Sequence, residues 1–265
     1  MLKLIKYEFI KKSKLLLILL ITAILANIGI GIAFKEPGIA LFLGLSSIAL
    51  VILYLYELIR TYSDDLNKKT GYMLFMTPNS GYKIIGSKLI FIITEGLILF
   101  FSYFIFLFFN MMVIALKATG DFSLIMRAIG EMIEGFNSVV IMQFGMNLGD
   151  ILLIVIMILV SAIVFALIVY SAMTIRKSIF ANAKFGGLLS FIIFVALTFV
   201  YGKLTDFVGE AFQFNVITKQ INDMTVTYPS SSMFRIFGVI IIFNIIVSAA
   251  LMLTSGYLIE KKINL

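Results

Sequence analysis

Long apolar runs, separated by shorter polar stretches, dominate the chain. Each run is long enough to cross about 30 Å of hydrocarbon as an α-helix, which rises about 1.5 Å per residue. The third run exceeds the length needed, so we expect it to tilt or to project from one face. The pattern predicts an all-α integral membrane fold, a single transmembrane domain over residues 1–265, with six spans at about 15–34, 39–56, 89–116, 151–175, 185–201 and 236–258.

Basic residues are distributed unevenly over the connecting segments. With the N-terminus placed inside, 15 of the 21 lysines and arginines lie on the inner side and 6 on the outer side. The positive-inside rule therefore predicts that both termini are cytoplasmic. The first run is too long for a cleaved signal peptide, so we expect it to be retained as a span.

The composition excludes several classes of chemistry. The chain has no cysteine and no histidine, so it cannot build a thiol nucleophile, a Ser-His pair or a zinc site of the usual ligands. We predict no catalytic residue, no metal site and no enzymatic activity. The net charge of +7 is explained by the span ends, so nucleic acid is not a predicted partner.

Amphipathic segments flank the spans. In residues 1–14, Leu2, Ile5 and Phe9 share one helical face, which predicts an interfacial helix on the inner leaflet. The alternative is a basic flank that only sets topology. The loop 117–149 and the segment Leu204–Phe212 show similar spacing and predict short outer amphipathic or re-entrant helices, which cap the bundle or gate a substrate.

Two connections carry clear turn signals. Lys35–Gly38 contains Pro-Gly and predicts a tight antiparallel hairpin of the first two spans.

The inner loop 60–88 is polar except for a short apolar segment, called here the knuckle. Ser63 is predicted to cap a short helix before the knuckle, and Thr77–Pro78 is predicted to start the next helix after it. An exposed knuckle is costly unless the membrane, the bundle or a partner covers it. Its residues are Gly71, Tyr72, Met73, Leu74, Phe75 and Met76.

This loop resembles that of ABC-2 type transporter permeases, the membrane subunits of bacterial ABC exporters. The matching pattern is K-x-G-x-x-L-x-x-x-P with a basic residue before the next span, and the opening MLKLIKYEFIKK and the six-span layout are also similar. The motif covers about thirty residues, and the layout covers the chain. The matching positions are Lys69, Gly71, Leu74, Pro78 and Lys88.

The resemblance implies a function and a set of partners. Residues 1–12 would be a connecting helix, Gly71–Met76 with Pro78 would dock an ATP-binding subunit, and Leu204–Phe212 would match an outer re-entrant element. Two permeases, identical or different, would pair in the bacterial cytoplasmic membrane, among its lipids, and recruit two ATP-binding subunits. The chain itself would need no cofactor, because ATP and Mg would bind to the partner. The favoured substrate is an amphipathic peptide antibiotic or toxin.

The chain contains no phosphate-binding loop of its own. The segment Gly81–Lys88 ends in Gly-Ser-Lys, whereas a Walker motif needs Gly-Lys-Ser or Gly-Lys-Thr after a strand. ATP hydrolysis is therefore assigned to another subunit. Two alternatives stay open: an ion-coupled secondary transporter, and a membrane immunity protein that binds a peptide without an ATPase.

Four polar residues within the spans are candidates for an intramembrane site. Glu95 is a functional candidate by default, but the structural explanations, a position near the inner interface, an ion pair with the inner loop or simple protonation, are preferred to proton coupling or substrate contact. The amides Asn27, Asn110 and Asn244 are expected to make interhelical hydrogen bonds rather than ligand contacts.

Overall fold

The structure is a computed structural model that describes residues 2–67, 80–119, 127, 130–131, 134–135, 148–180, 185–212, 216–221, 224–229 and 233–262. Helices make up most of this part of the chain, and two short strands precede the last helix. The elements are α1 (Leu2–Asn67), α2 (Gly81–Thr119), α3 (Leu148–Ile179), α4 (Gly186–Ala211), β1 (Val216–Ile221), β2 (Met224–Pro229) and α5 (Met233–Lys262).

Within the described ranges, six helical stretches are long and apolar enough to cross a membrane. This confirms the predicted six-span helical architecture and indicates a multi-pass membrane protein. Two of the stretches are the arms of α1, called here the first arm (Leu2–Phe34) and the second arm (Gly38–Asn67). The others are Gly81–Ile114, Gly149–Ile179, Gly186–Ala211 and Arg235–Lys261.

The two arms of α1 form an antiparallel hairpin. Lys12 of the first arm bonds to Glu57 of the second, 45 residues later, a separation that would span about 68 Å in a straight helix. The direction reverses near Gly38, where an added Cβ would lie 2.5 Å from the carbonyl oxygen of Ile30. Glycine therefore permits the close approach that the turn requires.

The predicted interfacial helix is not a separate element. The first arm continues through Lys12 and Ser13 into the apolar run, and the Ser13 hydroxyl bonds to the carbonyl of Ile10, so nothing breaks the helix there. Leu2 is 83 % exposed and Phe9 is only half-buried. The deeply buried positions of this segment are the charged residues Glu8 and Lys12.

The second arm also continues past its predicted end. Ser63 was predicted to cap a new helix, but the residues up to Asn67 extend the same helix. Asn67 donates a 3.0 Å hydrogen bond to the carbonyl of Ser63, as a side chain in the last turn does. Thr77 and Pro78 lie outside the described residues, and the next described helix, α2, starts at Gly81.

The described residues fall into two compact units. Unit one comprises the described residues among 1–67 and 86–139, so it holds both arms of α1 and most of α2. Its rings pack edge-on across helices, with Phe9 against Phe91 and Phe42 against Phe106. These contacts join the first arm and the second arm to α2.

Unit two comprises the described residues among 68–85 and 140–265, with α3 packed against α4 and α5. The second half of α3 is its core, since Val164, Leu167 and Tyr170 are almost fully buried. A hydrogen bond of 2.8 Å joins Ser171 of α3 to Ser255 of α5. Polar contacts of this kind hold helices together where lipid replaces water.

The segment between α4 and α5 differs from the prediction. Residues 204–211 are the last turns of α4, so no separate re-entrant helix forms there. After α4, β1 and β2 pair as an antiparallel ribbon. Val216 lies opposite Pro229 at one end of the ribbon, and Ile221 lies opposite Met224 at the other. Both strands are rich in β-branched residues, and only Asn222 and Asp223 separate them in the sequence, which is the signal for this ribbon.

Candidate functional site

Polar residues line up on three helical segments of unit one. In each segment they stand four or seven residues apart, which places them on one face of the helix. All of them are buried, and together they form what we call the buried charge cluster. Its members are Glu8 and Lys12 of the first arm, Glu57, Thr61 and Asp65 of the second arm, and Lys88 and Glu95 of α2.

Lys12 connects the first arm to the second. Its ammonium contacts the Glu57 carboxylate and the Thr61 hydroxyl, and it lies 5.5 Å above the ring centre of Phe91. Thr61 is in turn held by a 2.6 Å hydrogen bond to the carbonyl of Glu57. The charge of Lys12 is therefore matched by one carboxylate and stabilised by an aromatic face.

Lys88 connects α2 to both arms. Its ammonium bonds to Glu8 at 2.9 Å and to the carbonyl of Thr61 at 3.1 Å, and it also pairs with Asp65. Only 1 % of this side chain is exposed. A lysine buried to this degree needs all its donors satisfied, and three oxygen acceptors meet that requirement.

Two partly exposed cations lie at the edge of the cluster. Lys11 is 3.4 Å from Asp65, and Arg60 is 3.8 Å from Glu57 and 3.7 Å from Asp64. These pairs are longer and more exposed than those of Lys12 and Lys88, so they contribute little to stability. Arg60 nevertheless keeps a second positive charge within reach of Glu57.

Glu95 differs from the other members. It is fully buried, and neither of its carboxyl oxygens has a hydrogen-bond partner among the described residues. It lies about two turns beyond Lys88 along α2. Its charged neighbours Lys12, Glu57 and Glu8 act on it through space rather than by direct contact.

The ion pairs of the cluster hold the helices of unit one in register. No group of three potential metal-binding side chains occurs within the described part of the chain. Buried ion pairs are costly to desolvate, and their best attested role is to fix one arrangement of helices. The two lysines therefore link the two arms of α1 to each other and to α2.

The other predicted polar residues do not join this cluster. Asn27 is buried in the first arm, and Asn110 lies about 22 Å along α2 from Glu95. Asn244 belongs to unit two, where it donates to Ser161 at 3.1 Å and accepts from Tyr201 at 2.8 Å. It thus links α5 to α3 and α4 by interhelical hydrogen bonds.

The predicted docking residues 71–76 and Pro78 lie outside the described residues, but the start of α2 just beyond them is described. The backbone N–H of Gly81 donates a 2.9 Å hydrogen bond to the Glu260 carboxylate of α5. A Cβ on Gly81 would lie 2.8 Å from the carbonyl of Gly256, and a Cβ on Gly256 would overlap the Tyr82 ring. Two glycines therefore permit a very close contact between α2 and α5.

Each unit also contains a cavity. In unit one, a cavity of about 320 Å³ lies between the two arms and α2, and its walls are almost entirely apolar, including Leu19, Ala26, Phe42 and Phe106. In unit two, a more polar cavity of about 600 Å³ lies beside the end of α4. It is lined by Lys203, Asp206, Glu210 and Phe243, among others.

Sequence reasoning found Glu95 but missed its neighbours. Lysines of the inner segments were read as topology signals, and the acids between them were not paired with anything. The overlooked signal was periodic: Glu8 with Lys12, and Glu57 with Asp65, repeat at helical spacing beyond the predicted span ends.

Comparison of the chain with protein-family models, with curated proteins and with solved structures finds no match.

Proposed function

We propose that this protein is the permease subunit of an ABC exporter of the bacterial cytoplasmic membrane. It would move an amphipathic or hydrophobic substrate, a peptide antibiotic or toxin in the favoured case, using ATP hydrolysed by a separate subunit. Two permease copies or relatives would pair and bind two ATP-binding subunits, which would carry ATP and Mg. The basis is the sequence resemblance of the loop 60–88 together with the anchoring of its flanks.

The observation that carries the proposal is that both flanks of the loop are fastened to membrane helices. Before the loop, Asp65 is paired with Lys88 and lies 3.4 Å from Lys11. After the loop, Gly81 is bonded to Glu260. A loop that only connected two spans would need no such contacts, because connecting segments tolerate variation in length and sequence.

The two anchors belong to different units. Asp65 is held within unit one, whereas Gly81 and Glu260 belong to unit two. A partner that displaced the loop would therefore pull on α1 through one flank and on α5 through the other. Alternating access in transporters requires this kind of transmitted movement of packed helices.

The apolar cavity of unit one supports the assignment of substrate class. Its hydroxyl-bearing residues donate within their own helices or to a nearby backbone carbonyl: Thr22 to Ile18, Ser102 to Ile98 and Tyr103 to Leu43. Few polar groups are therefore left to bind a polar solute. A cavity with walls of this kind suits an aliphatic or aromatic side chain of a passing peptide.

Co-purification from solubilised membranes tests the proposal. The expected result is that the wild-type chain retains an ATP-hydrolysing subunit and that the double variant Leu74→Asp, Phe75→Asp loses it. Two charges in the knuckle would be desolvated without partners in the docking cleft, which costs several kcal/mol, roughly enough to abolish a micromolar interaction.

Phe185→Asp is a matched control. This residue is 77 % exposed and lies at the inner end of the fifth predicted span, so a negative charge is introduced on the same side of the membrane but away from the knuckle. It should leave the co-purified subunit unchanged. Equal retention of the ATP-hydrolysing subunit by the wild type and the Leu74, Phe75 double variant would refute the docking role.

The buried charge cluster favours a second candidate, an ion-coupled secondary transporter. Such a protein is expected to have more intramembrane charge than one glutamate, and the cluster supplies four buried carboxyl groups rather than one. Transport assays in inside-out vesicles separate the two functions. Uptake that needs ATP and persists after an ionophore collapses the ion gradients supports the exporter, and the opposite result supports the secondary transporter.

A further inference from the structure

The buried charge cluster holds more acid than base. Its four carboxyl groups face two buried ammonium groups, and both ammonium groups already have carboxylate partners. Lys12 is paired with Glu57, and Lys88 with Glu8 and Asp65. The fourth carboxyl, that of Glu95, has no ion pair within the part of the chain that the structure describes.

An ionised Glu95 would be an uncompensated charge in a site without water contact. No donor among the described residues approaches either of its oxygens, and its side chain is 0 % exposed. Isolated buried carboxylates are avoided in proteins because desolvation penalises the charged form, and such groups become neutral instead. A carboxylic acid, by contrast, fits this environment without a counter-ion.

Groups from each packed element face Glu95. The first arm contributes Lys12 and Glu8, and the second arm contributes Glu57 and, one turn earlier, Tyr54. Within α2, Lys88 lies two turns before Glu95 and is occupied by Glu8 and Asp65. Lys12 is thus the one described cation that acts on Glu95, and it lies over the ring of Phe91, one turn before Glu95 on α2.

We propose that the Glu95 carboxyl is a proton-binding site, and that release of its proton transfers Lys12 from Glu57 to Glu95. The proton moves from the carboxylic acid to water or to a neighbouring acceptor, and no other bond is made or broken. Arg60, 3.8 Å from Glu57, then supplies the replacement charge. The site links one proton to the contact between the first arm and the second, whichever energy source drives the protein.

Modification by dicyclohexylcarbodiimide tests the site directly in the purified full-length protein. The reagent adds to a protonated carboxyl in apolar surroundings and leaves a stable acylurea, which peptide mass spectrometry locates. Glu95 should carry about tenfold more adduct than Glu57 near neutral pH, because Glu57 contacts the Lys12 ammonium directly and Glu95 has no such partner among the described residues. The yield at Glu95 should fall as the pH rises, and Glu95→Gln should remove that adduct.

The variant Glu57→Gln separates a proton site from a merely structural residue. It frees Lys12 to pair with Glu95, so the adduct at Glu95 should fall by about tenfold at the same pH. Arg60→Gln is the opposite test: it removes the charge that would replace Lys12 at Glu57, so Lys12 stays with Glu57 and the Glu95 yield should not fall. A Glu95 yield in Glu57→Gln equal to that of wild type would overturn the exchange of Lys12.

Infrared difference spectroscopy on the wild-type protein covers the case in which Glu57→Gln fails to fold. Raising the pH should remove the carbonyl stretch of a protonated carboxylic acid and produce a carboxylate band. That change should be absent from Glu95→Gln. If the wild type shows no such band, or if Glu95→Gln retains it, Glu95 is not the proton-binding group.

Discussion

Replacement of Lys88 by methionine removes the cation that joins α2 to both arms of α1. Lys88 is nearly fully buried, and its ammonium serves Glu8, Asp65 and the carbonyl of Thr61. Methionine fills a similar volume, so little of the effect comes from an empty space. The change isolates the loss of charge and hydrogen bonds.

The magnitude follows from the partners left behind. Removing one partner of a buried ion pair costs about 3–5 kcal/mol, because the other charge remains buried without compensation. Glu8 is left without an ion pair here and Asp65 keeps only the longer pair with Lys11, so we expect a loss of about 4–5 kcal/mol on the same scale. At about 2–4 °C per kcal/mol for chains of similar size, the melting temperature should fall by roughly 8–20 °C.

Far-UV circular dichroism in detergent is the appropriate assay. The chain contains neither tryptophan nor cysteine, so indole fluorescence and thiol-reactive dyes would report nothing. Lys83→Met is the matched control, because Lys83 is exposed in the first turn of the same helix. A surface substitution of this kind should change the stability by less than about 0.5 kcal/mol.

A compensated variant tests the reasoning further. The triple variant Lys88→Met, Glu8→Gln, Asp65→Asn also removes both carboxylates that Lys88 served. Most of the lost stability should return, because replacing a whole buried ion pair by neutral side chains often changes stability little. If Lys88→Met melts like Lys83→Met, or if the triple variant recovers nothing, the cluster is not held by buried ion pairs.

Three further changes have expected outcomes, each followed by the same melting assay. Gly256→Ala should lower the stability by about 1–3 kcal/mol because the added Cβ would overlap the Tyr82 ring. Gly238→Ala in the same helix, where the Cβ meets nothing within 4 Å, should be neutral or slightly stabilising. Equal effects of the two substitutions would contradict the close contact. Glu260→Gln should weaken the bond to the Gly81 N–H by about 0.5–1 kcal/mol and speed proteolysis within residues 68–79, whereas an unchanged cleavage rate would show that this anchor does not restrain the loop. Asn244→Ala should lower the stability by about 0.6–1.7 kcal/mol through loss of its hydrogen bonds to Ser161 and Tyr201. Adding Tyr201→Phe to that variant should lower the stability almost no further. If the stability losses of the two substitutions add up, the two residues do not interact.

The number and order of the spans could be read from the sequence. An apolar run of about twenty residues has few alternatives to a membrane-spanning helix, because the backbone must satisfy its own hydrogen bonds in lipid. The turn near Gly38 was likewise a local property of Pro-Gly chemistry. These features depend on residues close together in the chain, so periodicity and length identified them.

Helix ends were less predictable. The first arm starts at Leu2 and the second runs to Asn67, well beyond the apolar runs on which the spans were drawn. Polar residues at these ends were interpreted as interfacial or loop segments, since hydropathy reports where a helix meets water and not where it stops. Packing against other helices allowed the polar turns to remain helical.

The sequence by itself determined that this chain has six helical stretches long and apolar enough to span a membrane, and that Glu95 is an unusual residue within one of them. Tertiary structure alone decided which charges meet: Lys12 with Glu57, 45 residues apart, and Lys88 with Glu8, 80 residues apart. The physical reason is that hydrophobic length is a sum over neighbouring residues, whereas a buried ion pair depends on two distant segments reaching one point in space.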